Sequence, residues 1–199
     1  MSSLPPRLFY FRHGETAWSL TGRHTGATDI PLTARGEGQA RALAPWTAAI
    51  SFAHVFTSPR VRARATCELA GLGAQAKVEP DLAEWNYGDY EGRRTTDIWE
   101  GRPGWEIFRD GCPNGESPEQ VGARADRLIA RLRALGGDVA LFAHGQFGSA
   151  FVARWIGLAT LEGNHFSVGP ASMGVLSWDR DHPKSPVVAL WNAAPGVPA

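Results

Sequence analysis

The spacing of apolar positions divides the chain into elements. Leu8-Phe9-Tyr10-Phe11 is a short apolar run ending in polar Arg12-His13-Gly14, the pattern of a buried strand opening into a loop. Residues 19–32 are polar and turn-rich. Thr33 can cap a helix to about Ile50, with Ala40, Leu43 and Ala44 as apolar positions and Pro45 as a break or kink. Val55-Phe56-Thr57 reads as a second strand. Ser58-Pro59 then reads as an N-cap with Pro at the first helical position, opening a helix that Gly71 and Gly73 stop near Leu72. Ala76 to Pro80 is a third short strand. From about 85 to 116, Trp, Gly and charge mix without a sustained period, as in an irregular insertion with one short helix near Thr95–Glu100.

Ser117-Pro118-Glu119-Gln120 is a capping box. Behind it Val121, Ala125, Leu128, Leu132 and Leu135 share one helix face, while Arg124, Arg127 and Arg131 fall largely elsewhere. Val139 to Ala143 is an unbroken apolar run, so a central strand, and it too ends in His144-Gly145. A helix from about Gln146 to Ile156 and strands at Val175–Trp178 and Val187–Trp191 complete the pattern. Strands alternating with helices predict an α/β fold: a three-layer sandwich with a mostly parallel central sheet flanked by helices. The 199 residues fit a single domain, 1–199.

Composition narrows the classes. Twenty Lys+Arg balance twenty Asp+Glu, which argues against a nucleic-acid binder or a polybasic membrane-surface protein. No apolar run is long enough to span a bilayer, and Met1 to Arg7 lacks the pattern of a signal peptide. Two cysteines without C-x-x-C pairing fit a reduced compartment and no metal site, so a cytoplasmic protein is expected, with Cys112 incidental. The charge balance is local, however: residues 1–64 hold eight Arg against three acids, and residues 65–120 hold five bases against twelve. No P-loop, G-x-S-x-G elbow or H-E-x-x-H occurs. Gly71 to Ala76 satisfies G-x-G-x-x-A but follows a helix, the wrong context for a dinucleotide turn, and reads as a helix cap and loop.

In open α/β sheets ligands sit beyond the carboxyl ends of strands. Three such ends are polar: Arg12-His13-Gly14, Thr57-Ser58-Pro59-Arg60-Val61-Arg62, and His144-Gly145. If the strands are neighbours, two imidazoles and two or more guanidiniums meet in one cleft. Buried unpaired cations are costly, so an anion must neutralise them, and phosphate fits. A neutral His could then attack phosphorus while the leaving oxygen takes a proton from a carboxyl group, with no metal or cofactor required. Spacing alone leaves Glu84, Asp89 and Glu91 open for that acid. Singly, each residue also has an ordinary reading: His13 and His144 as loop histidines, Arg60, Arg62 and Arg64 as a solvated face, Glu84 as a surface acid.

Taken together, these residues resemble the histidine phosphatase, or phosphoglycerate mutase-like, superfamily. The resemblance rests on Arg12-His13-Gly14-Glu15-Thr16, the stretch Gly26 to Ala40, Thr57 to Thr66, Leu82 to Gly92, Gly115-Glu116-Ser117 with Arg124, and Phe142 to Gly145. It covers about residues 7–180. It implies that His13 is the nucleophile, that Arg12, Arg62 and His144 bind the phosphoryl group, and that Glu84 is the proton donor. Ser19, Thr25, Gly26, Tyr87, Gly145 and Gln146 are the implied substrate-binding residues. Ser19 stands where the family's glycolytic mutases carry Asn, and the mutases' longer insertion after the acid motif is absent, which favours hydrolysis over phosphoglycerate mutase chemistry. The motifs are most similar to a subgroup of acid phosphatases and sedoheptulose bisphosphatase. A small phosphorylated metabolite such as a sugar phosphate is the expected substrate. A non-catalytic phospho-ligand sensor is the alternative of another class. The late strands offer an edge on which a homodimer could form.

Overall fold

The computed structural model describes residues 5–196. Six strands, β1 (Leu8–Arg12), β2 (Phe52–Thr57), β3 (Ala76–Val78), β4 (Asp138–Ala143), β5 (Met173–Trp178) and β6 (Pro186–Ala193), form one sheet. Their order is β3-β2-β4-β1-β5-β6. β3, β2, β4 and β1 run parallel; β5 and β6 join antiparallel on one side. Among the described residues eight α-helices accompany them: α1 (Ala17–Leu20), α2 (Ala34–Arg41), α3 (Ala44–Ala48), α4 (Val61–Leu69), α5 (Thr95–Trp99), α6 (Ile107–Asp110), α7 (Pro118–Arg133) and α8 (Gly145–Trp155).

The middle strands are apolar without alternation because both sheet faces are covered. Successive side chains on a strand point to opposite faces. Leu8 and Tyr10 of β1 accordingly join one cluster with Val121, Leu128, Phe147 and Phe151 of α7 and α8. Phe9 and Phe11 join another with Leu43 and Cys67. The result is the expected three-layer α/β sandwich with a mostly parallel sheet.

Several local readings change. The helix expected from Thr33 to Ile50 is two helices, capped first by the Thr33 hydroxyl on Gly36 N–H; Pro45 stands in the first turn of the second. The helix after β2 starts later than expected. Arg60, in extended backbone, caps α4, so neither Ser58 nor Pro59 opens it. Instead the Ser58 hydroxyl accepts Arg60 N–H at 3.2 Å, a local turn that delays the helix. The segment 85–116 is irregular and holds the expected short helix, α5, but α6 was not foreseen. Nor is it a surface flap: Trp85, Tyr87, Ile98, Trp105 and Phe108 join the α7/α8 cluster. On α7 the apolar face is as read, but Arg124 is buried with it.

Candidate active site

Parallel pairing sets Arg12 level with Ala143, and Thr57 level with Phe142. The next residues, His13, His144 and Ser58, therefore leave the sheet at one edge. The two imidazole centroids lie 5.3 Å apart, inclined at 65°. The loop after β1 is drawn tight. Gly14 donates its N–H to Thr66 Oγ1 on α4 at 3.0 Å. A Cβ on Gly14 would stand 2.4 Å from the Gly36 carbonyl oxygen of α2, so only glycine fits there.

His13 Nδ1 is 2.7 Å from the Gly14 carbonyl. A carbonyl only accepts, so Nδ1 carries the proton and Nε2 keeps a free lone pair. Burial, then the charges of Arg12 and Arg62, hold the His13 pKa well below 6.5. The ring is neutral at pH 7.

His144 is fixed from both sides. Tyr10 donates its hydroxyl to the His144 carbonyl at 2.8 Å and accepts the His144 N–H at 3.1 Å. His144 Nε2 lies 2.7 Å from Ser58 Oγ. Its Nδ1 is buried without a partner. Burial, then Arg62, His13 and Arg12, lower its pKa well below 6.5 too.

Arg62 is wholly buried. Its Nη atoms donate to the carbonyls of Thr28, Thr25 and Gly26 at 3.0, 2.8 and 3.1 Å. Arg12 donates from Nη1 to the Val168 carbonyl at 2.6 Å. Neither guanidinium meets a carboxylate. Nε of Arg12, Arg60 and Arg62 and Nδ1 of His144 are all buried and unpartnered. Natural interiors leave few such donors, so a group of four on one edge of a sheet marks a place built for an anion with several oxygens. Arg64, by contrast, is exposed.

Glu84 faces this group from the loop after β3. Its Oε1 accepts N–H from Trp85 at 2.9 Å and Phe147 at 2.7 Å; its Oε2 accepts Gln146 N–H at 3.1 Å. Two of those donors are free amides in the first turn of α8, where the helix dipole also favours a carboxylate. The other two acids left open by spacing do different work. Asp89 accepts from Asn114 Nδ2 at 2.9 Å, in the open. Glu91 accepts N–H from Gly26 at 2.9 and 3.0 Å and from Thr28 at 3.0 Å, which holds the loop whose carbonyls hold Arg62.

Residues 8–193 match the model of the histidine phosphatase superfamily (branch 1). The chain belongs to that superfamily. An acid phosphatase of Mycobacterium tuberculosis is 42% identical over 177 residues, 87% of each chain. Sedoheptulose 1,7-bisphosphatase of Saccharomyces cerevisiae is 40% identical over 190 residues, 79% of this chain and 70% of that one. A solved Mycobacterium tuberculosis open-reading-frame product, 39% identical, superposes with a TM-score of 0.89 over 95% of this chain and 98% of that one.

This histidine phosphatase has a cleft of about 340 Å³ lined by Arg12, His13 and Glu84; the buried Arg62 and His144 do not line it. Ser19, Thr25, Tyr87, Gly145 and Gln146 also line it. Gly26 does not; its N–H goes to Glu91 and its carbonyl to Arg62, so it is scaffold. Ser19 is engaged in the cap of α1, its Oγ donating to the Thr16 carbonyl at 3.0 Å. Tyr87 stacks on His24 at 4.7 Å. Burial lowers the His24 pKa to about 4. Ser58 was not among the expected site residues, and Glu91 was expected only as an alternative acid. Ser58 read as a cap, and nothing local distinguishes it. Glu91 carried a signal, its place in the acid motif, but its partners lie 63 and 65 residues away.

Proposed function

We propose that this phosphatase hydrolyses phosphomonoesters through a phosphohistidine on His13. The observation that carries the reading is how the two imidazoles are anchored: His13 through Nδ1 and His144 through Nε2, so that opposite ring nitrogens are left open although both rings take the Nδ1–H tautomer. His13 spends its one proton on Gly14, which leaves Nε2 as a nucleophile. Ser58 Oγ already accepts Arg60 N–H, so its own proton is free to go to His144 Nε2. That assignment puts the His144 proton on the unpartnered Nδ1, as a donor to a phosphoryl oxygen.

His13 Nε2 attacks phosphorus as the ester P–O bond breaks, and the leaving oxygen takes a proton from Glu84 Oε2, the oxygen with a single amide partner. The negative charge on the equatorial oxygens meets the Nε–H groups of Arg12 and Arg62 and His144 Nδ1–H. The phosphorylated ring stays cationic, with Nδ1–H on Gly14. Glu84 then removes a proton from water as that water attacks phosphorus, the P–N bond breaks, and His13 and phosphate are released. Mutase chemistry would replace that water with a second hydroxyl of a phosphoglycerate.

The substrate supported best is a small phosphorylated metabolite with a hydroxylated carbon skeleton, such as a sugar phosphate. The test is phosphate release from an aryl phosphate, with acid-labile label trapped on the protein in a quench. Wild type is expected to trap label at His13 and His13→Ala to lose both label and turnover. Full activity in His13→Ala overturns the mechanism, and phosphoglycerate isomerisation faster than hydrolysis overturns the hydrolase reading.

A further inference from the structure

Beyond the phosphoryl cleft lies a second hollow of about 470 Å³. The two share His24, Thr95, Gln146, Ser149 and Ser167, so one runs into the other. The far wall is made by the segment around α5 and α6, whose core side chains Trp105, Ile107 and Phe108 also line the hollow.

Trp99 is the notable member. It is 46% exposed, an uncommon position for so large a ring. Its indole N–H donates to the Trp105 carbonyl at 2.9 Å, so the ring is held in place. Around it stand amide and hydroxyl groups, Thr95, Gln146 and Asn164. A fixed aromatic face beside a few hydrogen-bonding groups suits a ring with C–H faces and hydroxyl edges.

The charges of this wall are already spent. Arg94 is paired with Asp97 at 2.6 Å, and Arg102 and Arg109 with Asp110 at 3.4 and 2.8 Å. Arg93 donates to the Asp97 carbonyl and lies over the Tyr90 ring. Glu106 contributes a carboxylate to the hollow, its Oε1 accepting from Asn164 Nδ2 at 3.1 Å. His24, neutral at pH 7 because it is buried, adds no positive charge. Arg23 lines the inner cleft and not this hollow.

We propose that the outer hollow receives the leaving group, and that this group is an uncharged hydroxylated ring stacked on Trp99. The preferred substrate then carries one phosphate. A second phosphate or a carboxylate placed in the hollow would meet Glu106 and no free guanidinium. The proposal rests on the phosphomonoesterase reading and goes further, since that reading alone would admit a bisphosphate.

The test compares kcat/KM for fructose 6-phosphate, fructose 1,6-bisphosphate and methyl phosphate. The monophosphate is expected to exceed the bisphosphate about tenfold, the factor that corresponds to about 1.4 kcal/mol of charge discrimination. Trp99→Ala should lower the ratio of fructose 6-phosphate to methyl phosphate about fivefold, within the range of a lost stacking contact. Glu106→Arg should raise the relative rate on the bisphosphate. A bisphosphate preferred by wild type, or an unchanged ratio in Trp99→Ala, overturns the proposal while phosphohistidine trapping still supports the enzyme reading. No phosphate release from any of the three esters, with no label on His13, overturns both.

Discussion

Arg62 and Arg124 are two buried arginines with opposite surroundings. Arg124 makes a two-pronged pair with Glu116, Nε to Oε1 and Nη2 to Oε2, both at 2.9 Å. Its Nη1 donates to the carbonyls of Asp81 and Ala83, and its guanidinium lies over Phe147. Arg62 has three backbone carbonyls, no carboxylate and an idle Nε. Burial lowers its pKa, the direction of a cation short of partners. Arg124 is a finished structure; Arg62 keeps an unpartnered donor, which the proposed mechanism gives to the phosphoryl group. Burial of arginine therefore says little until the partners are known.

That contrast can be broken from either side. Arg124→Ala leaves Glu116 without its cation and frees the strand of chain that carries Glu84. It should cost about 3–5 kcal/mol of stability, the range for one partner removed from a buried pair. Chemical denaturation reads the loss; a change under 1 kcal/mol would put Arg124 in Arg62's class. Arg62→Gln should do the reverse. It is expected to lower kcat/KM by about 10²–10³, as for loss of a single charge-stabilising donor, with the unfolding midpoint of the unliganded protein unchanged or raised.

Acid pH should expose the same asymmetry. The folded pKa values of His13 and His144 lie well below 6.5, and that of His24 at about 4. The unfolded chain therefore binds these protons first. Their stability contribution is full above about pH 6.5 and falls as pH drops below it, by roughly 1.4 kcal/mol per unit for each histidine. Inorganic phosphate at a hundred times its Kd should restore about 2.7 kcal/mol in wild type and much less in Arg62→Gln. The acid limb of kcat/KM should lie well below 6.5, because the His13 lone pair survives there. A limb at 6.5 would contradict the buried, cation-flanked nucleophile. The smallest effect is assigned to Ser58→Ala, a loss of about tenfold in turnover, near the 1.4 kcal/mol upper end of one neutral hydrogen bond. Nitrogen NMR of His144 in wild type should report the proton on Nδ1, and in the variant a mixture.

The layered sheet and the two histidines were legible because their signals are local. An apolar run ending in Arg-His-Gly, and another ending in His-Gly, place both imidazoles by strand pairing alone. The capping box at Ser117 was equally plain, and α7 begins as it implies. What was illegible depends on distant partners. Ser58 reads as a helix cap until His144, 86 residues on, claims its hydroxyl. Arg124 reads as a solvent-facing residue until Glu116 and the carbonyls of Asp81 and Ala83 surround it. Among Glu84, Asp89 and Glu91 the local sequence offers no choice, since what separates them is which donors arrive: backbone amides of α8, the side-chain amide of Asn114, or the backbone amides of Gly26 and Thr28.

The start of α8 carries a consequence for how such an enzyme can change. His144 is its N-cap, and the amides of Gln146 and Phe147 hold both oxygens of Glu84. The proposed acid and one proposed phosphoryl contact are thus referenced to a single rigid part, although Glu84 itself lies in another stretch of chain. The wall around Trp99 donates no hydrogen bond to Glu84. It can be lengthened, recharged or exchanged for another specificity without resetting the distance over which the proton travels.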